Sequence, residues 1–302
     1  MSITAANTES KAKSEKSLNH TAYNAEIISY YDECQVDYEI VWHLKSHMSM
    51  HYGYYYPETK RLRQALINLN IELAKFGTIK PQDHILDAGC GVGGASIFLA
   101  KNYNAKTIGI TLSEKQVESA RQNAQLNNVD TQCTFEVQDY LHTHFADNTF
   151  DVVWAVESSC YAPDKIDFLK EAFRILKPGG KLVVADFFNN DVIPDIANDT
   201  LMKKWVKTWA IHSYAGVNEF FQKMEIAGFT DRKQKDVTRN VLPTIKRLYA
   251  ASKIGLPVTY IGMALGMRNK RQTLNTWSSY YQYKAYKKNL WKYMFYTAVK
   301  PG

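Results

Sequence analysis

Apolar residues between positions 21 and 75 recur at three- and four-residue spacing, the pattern of helices that bury one face. The clearest run is Leu62-Arg63-Gln64-Ala65-Leu66-Ile67-Asn68-Leu69-Asn70-Ile71-Glu72-Leu73, which Gly77 ends ahead of Pro81. A break is expected around His51–Pro57. From His84 onward short apolar strands alternate with amphipathic helices. Strands are predicted at His84–Asp87, Lys106–Ile110, Gln132–Val137, Phe150–Val156 and Lys181–Phe188. Helices are predicted at Ala95–Asn102, Ser113–Leu126 and Asp164–Leu176, the last ended by Lys177-Pro178-Gly179-Gly180. Ser113 reads as a helix cap with Gln116 at the third helical position. Such alternation implies right-handed βαβ units and a parallel sheet.

Beyond Asn190 the alternation lapses. Val217–Ala227 reads as a helix ended by Gly228, and Thr230–Val237 as a strand. Residues 239–290 read as helical and rich in Tyr and Lys, and Trp291–Val299 as a last strand. About 50 residues thus separate the last two strands, far more than an ordinary loop.

Composition adds little until charge is considered. The 302 residues are 45% hydrophobic and 22% charged, as in an ordinary globular protein large enough to need no staples. Residues 1–20 are polar and without an apolar signal region, and are expected to form a disordered tail. The four cysteines, Cys34, Cys90, Cys133 and Cys160, show no paired spacing, which fits reduced thiols in a cytoplasmic protein. The longest apolar stretch, Ile254–Met267, is too short to span a membrane, though it is compatible with contact at a membrane surface. The net charge is +7, with many of the cations late in the chain. Nucleic acid, anionic lipid and a phosphorylated substrate are physically reasonable partners, and a solvated basic face is the plain alternative.

The chemistry is concentrated in His84-Ile85-Leu86-Asp87-Ala88-Gly89-Cys90-Gly91-Val92-Gly93-Gly94, a strand running into a glycine turn that opens a helix. Glycines allow a sharp turn and close approach of a ligand, and the helix N-terminus offers N–H groups to an anion. That anion is a pyrophosphate in dinucleotide enzymes and a methionyl carboxylate in methyltransferases. The spacing meets the dinucleotide fingerprint only loosely, and the second strand ends Ile110-Thr111-Leu112-Ser113 without the carboxylate that would hold a ribose. Asp87 stands at the strand end, where it can orient the loop and a cofactor ammonium.

Four blocks carry a resemblance to class I methyltransferases over about Tyr30 to Pro301: LDAGCGVGG (86–94), GITLSEKQ (109–116), FDVVWAVESSCYAPDK (150–165) and RILKPGGKLVVADFF (174–188). The second resembles the group of cyclopropane-fatty-acid synthases and tocopherol methyltransferases, the third the sterol C-methyltransferases and tocopherol methyltransferases. The resemblance implies a Rossmann-like, mostly parallel seven-stranded α/β sheet with N-terminal helices and a helical insertion before the last strand. It implies S-adenosylmethionine as cofactor, held by Asp87, Gly89, Cys90, Gly91, Gly93, Thr111, Leu112, Gln116, Asp139, Tyr140 and Val156. Within that set Thr111 and Gln116 would meet the ribose, and Asp139 the adenine amino group with Tyr140 stacking nearby. An ordinary loop aspartate remains the alternative for Asp139. The chain then divides into a tail (1–20), an N-terminal helical segment through which ligands enter (21–78), the cofactor-binding core (79–238), a helical lid over the acceptor (239–290) and the last strand (291–302).

An acceptor bound outside the strand ends would meet Glu157-Ser158-Ser159-Cys160-Tyr161. Many of the resembling enzymes carry His where this chain has Tyr161, so a histidine base from that loop is unavailable. Glu157 is the candidate base or cation stabiliser, with a structural carboxylate as its alternative, and Tyr161 would bond the substrate or steady a cation. Cys160 reads as a packing thiol. Ser46–Tyr55 resembles the segment that closes over cofactor and acceptor in the sterol and tocopherol enzymes, which makes His51 and Tyr54 candidates. His43, His47 and His51 would share a face of a continuous helix, but no acidic partner joins them and no metal is expected. The tyrosines at 30, 31, 52 and 54–56 and the aromatic cluster at 277–296 suit either an ordinary core or a greasy pocket with scattered hydroxyls.

The expected reaction is methylation of a hydrophobic small molecule, with C-methylation of an isoprenoid (sterol, terpenoid, prenyl diphosphate or prenylated quinol) ahead of O-methylation of a natural product. An RNA-binding methyltransferase or an inactive cofactor-binding protein is the rival from another class. The chain lacks the NPPY-type block of base-methylating enzymes and any RNA-binding module, so no nucleic-acid partner is expected. A homodimer is compatible with the sequence.

Overall fold

The structure, a computed structural model, describes the backbone of residues 2–302 and the side chains of residues 20–302. Of the disordered tail expected over 1–20, residues 2–20 have helical backbone, and the side chains up to residue 19 lie outside the described residues. Helix α1 is Ser2–Val41, followed by the four-residue α2 (Leu44–His47) and by α3 (Leu62–Gly77). The break in the N-terminal helical region is therefore longer than expected. His43 and Met48 both take left-handed backbone conformations, at φ 52° and 53°, and residues 48–61 run irregularly to α3.

The sheet contains β1 (His84–Ala88), β2 (Lys106–Thr111), β3 (Cys133–Val137), β4 (Phe150–Val156), β5 (Leu176–Asn189), β6 (Thr230–Asp236) and β7 (Trp291–Val299). Its order is β3-β2-β1-β4-β5-β7-β6. All neighbours are parallel except β7, which runs antiparallel to both β5 and β6. The chain winds outward from β1 in one direction and restarts at β4 in the other. The gap above β1 and β4 is thus the switch point where open α/β sheets bind ligands.

Helices α4 (Gly94–Tyr103), α5 (Glu114–Leu126) and α6 (Lys165–Ile175) connect the parallel strands. Ser113 caps α5 by accepting from the Gln116 N–H, and Asp164 caps α6 by accepting from Ile166. Losing either oxygen would cost about 1 kcal/mol. The expected stop at Lys177–Gly180 is not a turn between helix and strand. Leu176 already pairs with Phe150, and Gly179 donates to Lys300, so this segment is the start of a long β5.

Central strands bury both faces, which explains their nearly continuous apolar runs. Along β5, Val183, Ala185 and Phe187 join one core with α3 and Trp291, Tyr293 and Phe295 of β7. Leu182, Val184 and Phe188 join another, under α6 and α8 (Val217–Ile226). Each fully buried side chain of this size contributes roughly 1.5–3 kcal/mol. Helix α7 (Thr200–Thr208), which periodicity did not single out, packs Trp205 into the first core and is capped by Asp199. Between β6 and β7 two helices, α9 (Thr238–Ala264) and α10 (Lys270–Lys287), form an antiparallel hairpin.

Candidate active site

One cavity of about 350 Å³ extends over the switch point, and its lining is mostly apolar. Its floor is the turn from β1 into α4. Asp87 ends β1 fully enclosed, and burial raises its carboxyl to about 6 despite the hydrogen bond of 2.7 Å that Ser96 donates from α4. Gly91 has φ 52°, and a β-carbon there would meet the Met50 methyl at 2.8 Å. A β-carbon on Gly94 would run into the Met48 carbonyl. Gly94 therefore has no room for a side chain and Gly91 sits on a left-handed backbone that side chains rarely adopt, and the 48–52 segment closes directly on the turn. Helix α4 has Gly93 as its cap, so no cap side chain accepts from its first N–H groups, although the Asp87 carboxyl accepts from the Ser96 N–H within that turn; the open start of the helix suits an anion.

Beside this floor, Thr111 donates to the Gln116 side-chain oxygen at 2.6 Å, and both line the cavity with Leu112. Asp139 lines the same end. One of its oxygens accepts from the Leu141 N–H at 2.8 Å, and the other contacts His20 at 2.5 Å and accepts from Asn24 at 2.8 Å. Helix α1 therefore crosses this end of the cavity. Tyr140 donates to the Ser158 carbonyl at 2.8 Å and sets its ring edge-on to Phe168.

The far end is aromatic and aliphatic. Glu157 leaves β4 with φ 51° and is partly buried, facing the cavity. The Tyr52 N–H and the Tyr293 hydroxyl both donate to its Oε1, at 2.6 and 2.7 Å. Burial outweighs these two bonds, and with the nearby Asp186 charge it raises the carboxyl to about 8. Tyr31 donates to the Tyr161 hydroxyl at 3.1 Å and stacks on Tyr38 at 5.8 Å. Trp42, Phe187, Trp209, Ile211 and Leu248 complete the hydrocarbon wall. His51 is buried against the cavity, and desolvation lowers it to about 4. Its Nδ1 lies 2.8 Å from the Tyr52 carbonyl, so that nitrogen carries the proton. Nε2 keeps its lone pair and has no hydrogen-bond partner among the described residues.

Of the expected site residues, Asp87, Gly89, Cys90, Gly91, Thr111, Leu112, Gln116, Asp139, Tyr140, Val156, Glu157, Tyr161 and His51 all line this one cavity. Gly93 does not; its α-carbon faces Phe135 and Ala120, so its small size serves helix packing. Tyr54 does not either. Its ring packs on Tyr56 and Phe295 with Lys235 above it, and its N–H is held by the Ala65 carbonyl of α3. Tyr52 takes the inward position instead. His43 and His47 touch each other at 5.4 Å, but the left-handed His43 and Met48 break the helix that would have aligned them with His51. All four cysteines are free and buried, and burial pushes the Cys160 thiol up, which makes it a packing group. Sequence pattern gave no sign of Trp209 or His20, whereas Tyr293 belongs to the 277–296 aromatic cluster and reaches Glu157 from the last strand.

A family model described as a methyltransferase domain matches residues 79–244, more than half of the chain. The 2-methyl-6-phytyl-1,4-hydroquinone methyltransferase of Synechocystis sp. is 34% identical over 68% of this chain and 65% of its own length. The chloroplastic tocopherol O-methyltransferase of Arabidopsis thaliana is 26% identical over 91% of this chain and 82% of its own. A geranyl diphosphate methyltransferase solved with GPP and sinefungin superposes with a TM-score of 0.75 at 20% identity, covering 92% of this chain and 99% of the other, a likeness of fold. A glycine turn crowded by the 48–52 segment, a helix N-terminus above the switch point and the match of the family model agree: the chain belongs to the methyltransferase-domain family and is a class I methyltransferase that uses S-adenosylmethionine.

Proposed function

We propose that the enzyme methylates a carbon of a lipophilic isoprenoid, such as a sterol, terpenoid, prenyl diphosphate or prenylated quinol. The observation that carries this reading is the single cavity in which a hydrocarbon and aromatic wall continues from the glycine turn, with Glu157 where the two meet. The names of the Synechocystis and Arabidopsis relatives, which concern prenylated quinols and tocopherols, support the same class.

In this reading the α4 N-terminus holds the methionyl carboxylate, Thr111 and Gln116 the ribose, and Asp139 with Tyr140 the adenine. When bound, the cofactor would supply an electrophilic methyl and, with its S–CH3 bond broken, leave as S-adenosylhomocysteine. An acceptor double bond attacks it, and the carbon next to the new bond becomes electron-deficient. The Glu157 carboxylate stabilises that charge and takes the proton whose loss restores the double bond. The rings of Tyr31, Tyr38 and Tyr161 face the charge. The neutral His51 offers its Nε2 lone pair to a substrate hydroxyl.

Glu157→Gln tests this. Turnover should fall by about 10²–10⁴-fold while S-adenosylhomocysteine binding is unchanged. Because only the ionised carboxyl can take a proton, wild-type kcat/KM should rise as pH passes through about 8. An active Gln variant with the same pH profile would overturn the assignment. O-methylation is the second reading, favoured by the name of the Arabidopsis relative, since the same carboxylate would take a hydroxyl proton. Fragmentation of the labelled product by mass spectrometry separates the two.

A further inference from the structure

Helix α9 is built inside out over its C-terminal half. Its inward face carries the buried hydroxyls of Ser252 and Thr259, and Thr259 meets Thr273 of α10 at 3.2 Å. Its outward face carries Ile254, Val258 and Ile261, and Leu265 follows at the C-cap, all 60–75% exposed. Their spacing of four, three and four residues makes one continuous apolar stripe. A surface helix of a water-soluble protein shows the reverse arrangement, and exposed apolar patches of this kind mark interaction sites.

Charge says what covers the stripe. Residues 237–302 contain twelve Lys and Arg and no Asp or Glu. Lys253 adjoins the start of the stripe and Lys270 lies just past its end; both are exposed, and no carboxylate among the described residues pairs with either. The cavity opens beside it, because Val258 on the stripe and the exposed Ile40 of α1 both line the cavity. Arg268 ties this tip to α1 through Asp37 at 2.7 Å. Among the described residues no helix is long and apolar enough to cross a membrane, and the stripe has the length of a segment that lies along a surface.

We propose that the tip of the α9–α10 hairpin docks on an anionic lipid bilayer, with the stripe in the headgroup region and Lys253 and Lys270 against lipid phosphates. The cavity mouth then faces the layer in which a lipophilic acceptor is dissolved. The purpose of the contact rests on the isoprenoid reading above; the contact itself does not.

Flotation of the full chain with phosphatidylcholine vesicles, with and without phosphatidylglycerol and at low and high salt, tests it without any acceptor. Binding should be about tenfold or more stronger to the phosphatidylglycerol vesicles and fall with salt. The triple variant I254Q/I261Q/L265Q and the double variant K253E/K270E should each lose that binding. None of these five side chains lines the cavity, so S-adenosylhomocysteine binding should match wild type and report an intact fold. Equal flotation of wild type and the triple variant would overturn the proposal. So would a wild-type dimer that ignores vesicles and becomes monomeric in the triple variant, which would give the stripe to a second copy. Vesicle binding without methylation of any isoprenoid would leave the docking intact and remove the substrate reading alone.

Discussion

The cofactor end of the cavity is lined by residues drawn from two short stretches, 87–94 and 111–116, turns that leave adjacent strands β1 and β2. The acceptor end is lined by side chains from α1, the 48–52 segment, β4, α9 and α10, more than 200 residues apart in the chain. The first is mostly backbone: glycines, a helix N-terminus and one polar pair. The second is mostly side chain: tyrosines, tryptophans and a carboxyl whose hydrogen bonds come from Tyr52 and Tyr293. A ligand common to a whole family can be held by backbone and short turns, which tolerate little change. An acceptor that differs between relatives is read by side chains that many elements contribute and that can be exchanged one at a time.

The largest expected effect strikes the cofactor end. Gly91→Arg places a long side chain where a β-carbon already meets Met50 at 2.8 Å, on a backbone at φ 52°. Calorimetry with S-adenosylhomocysteine should show one site per wild-type chain and none in the variant; normal binding would show that this turn is not the cofactor site. Replacing residues 246–285 with a short Gly/Ser linker strikes only the acceptor end. Cofactor binding should survive while turnover of a lipophilic acceptor is lost, and retained turnover would reduce the hairpin to an appendage. Tyr293→Phe is the smallest change and sharpens the contrast. The lost O–H held the Glu157 carboxyl down, so the rise in kcat/KM should move to a pH above about 8. One hydrogen bond is worth about 1 kcal/mol, so the shift should stay within about one pH unit and leave cofactor affinity alone. An unmoved profile would detach Glu157 from proton transfer.

How much of this was legible follows the same division. The Gly89–Gly94 turn, the Ser113 cap and the five parallel strands can be read directly, because contacts within a few residues fix their geometry. Glu157 was also legible, from its place just past a predicted strand. The displacement of Tyr54 by Tyr52 was not, because the irregular 48–61 segment has no periodicity from which to read a face. The hold of His20 and Asn24 on Asp139 joins residues 119 and 115 positions apart, and no local pattern records it.

The sequence by itself determined the strand and helix order, the glycine turn at the end of β1 and, through these, the family and its cofactor. These depend on backbone conformation, hydrophobic period and hydrogen bonds that close within a turn. Tertiary structure alone decided which tyrosines face the cavity, that Glu157 is enclosed enough to sit near 8, and that α9 turns its apolar stripe outward. A carboxyl's charge state depends on everything packed around it. The direction a helix faces depends on which of its sides finds a partner.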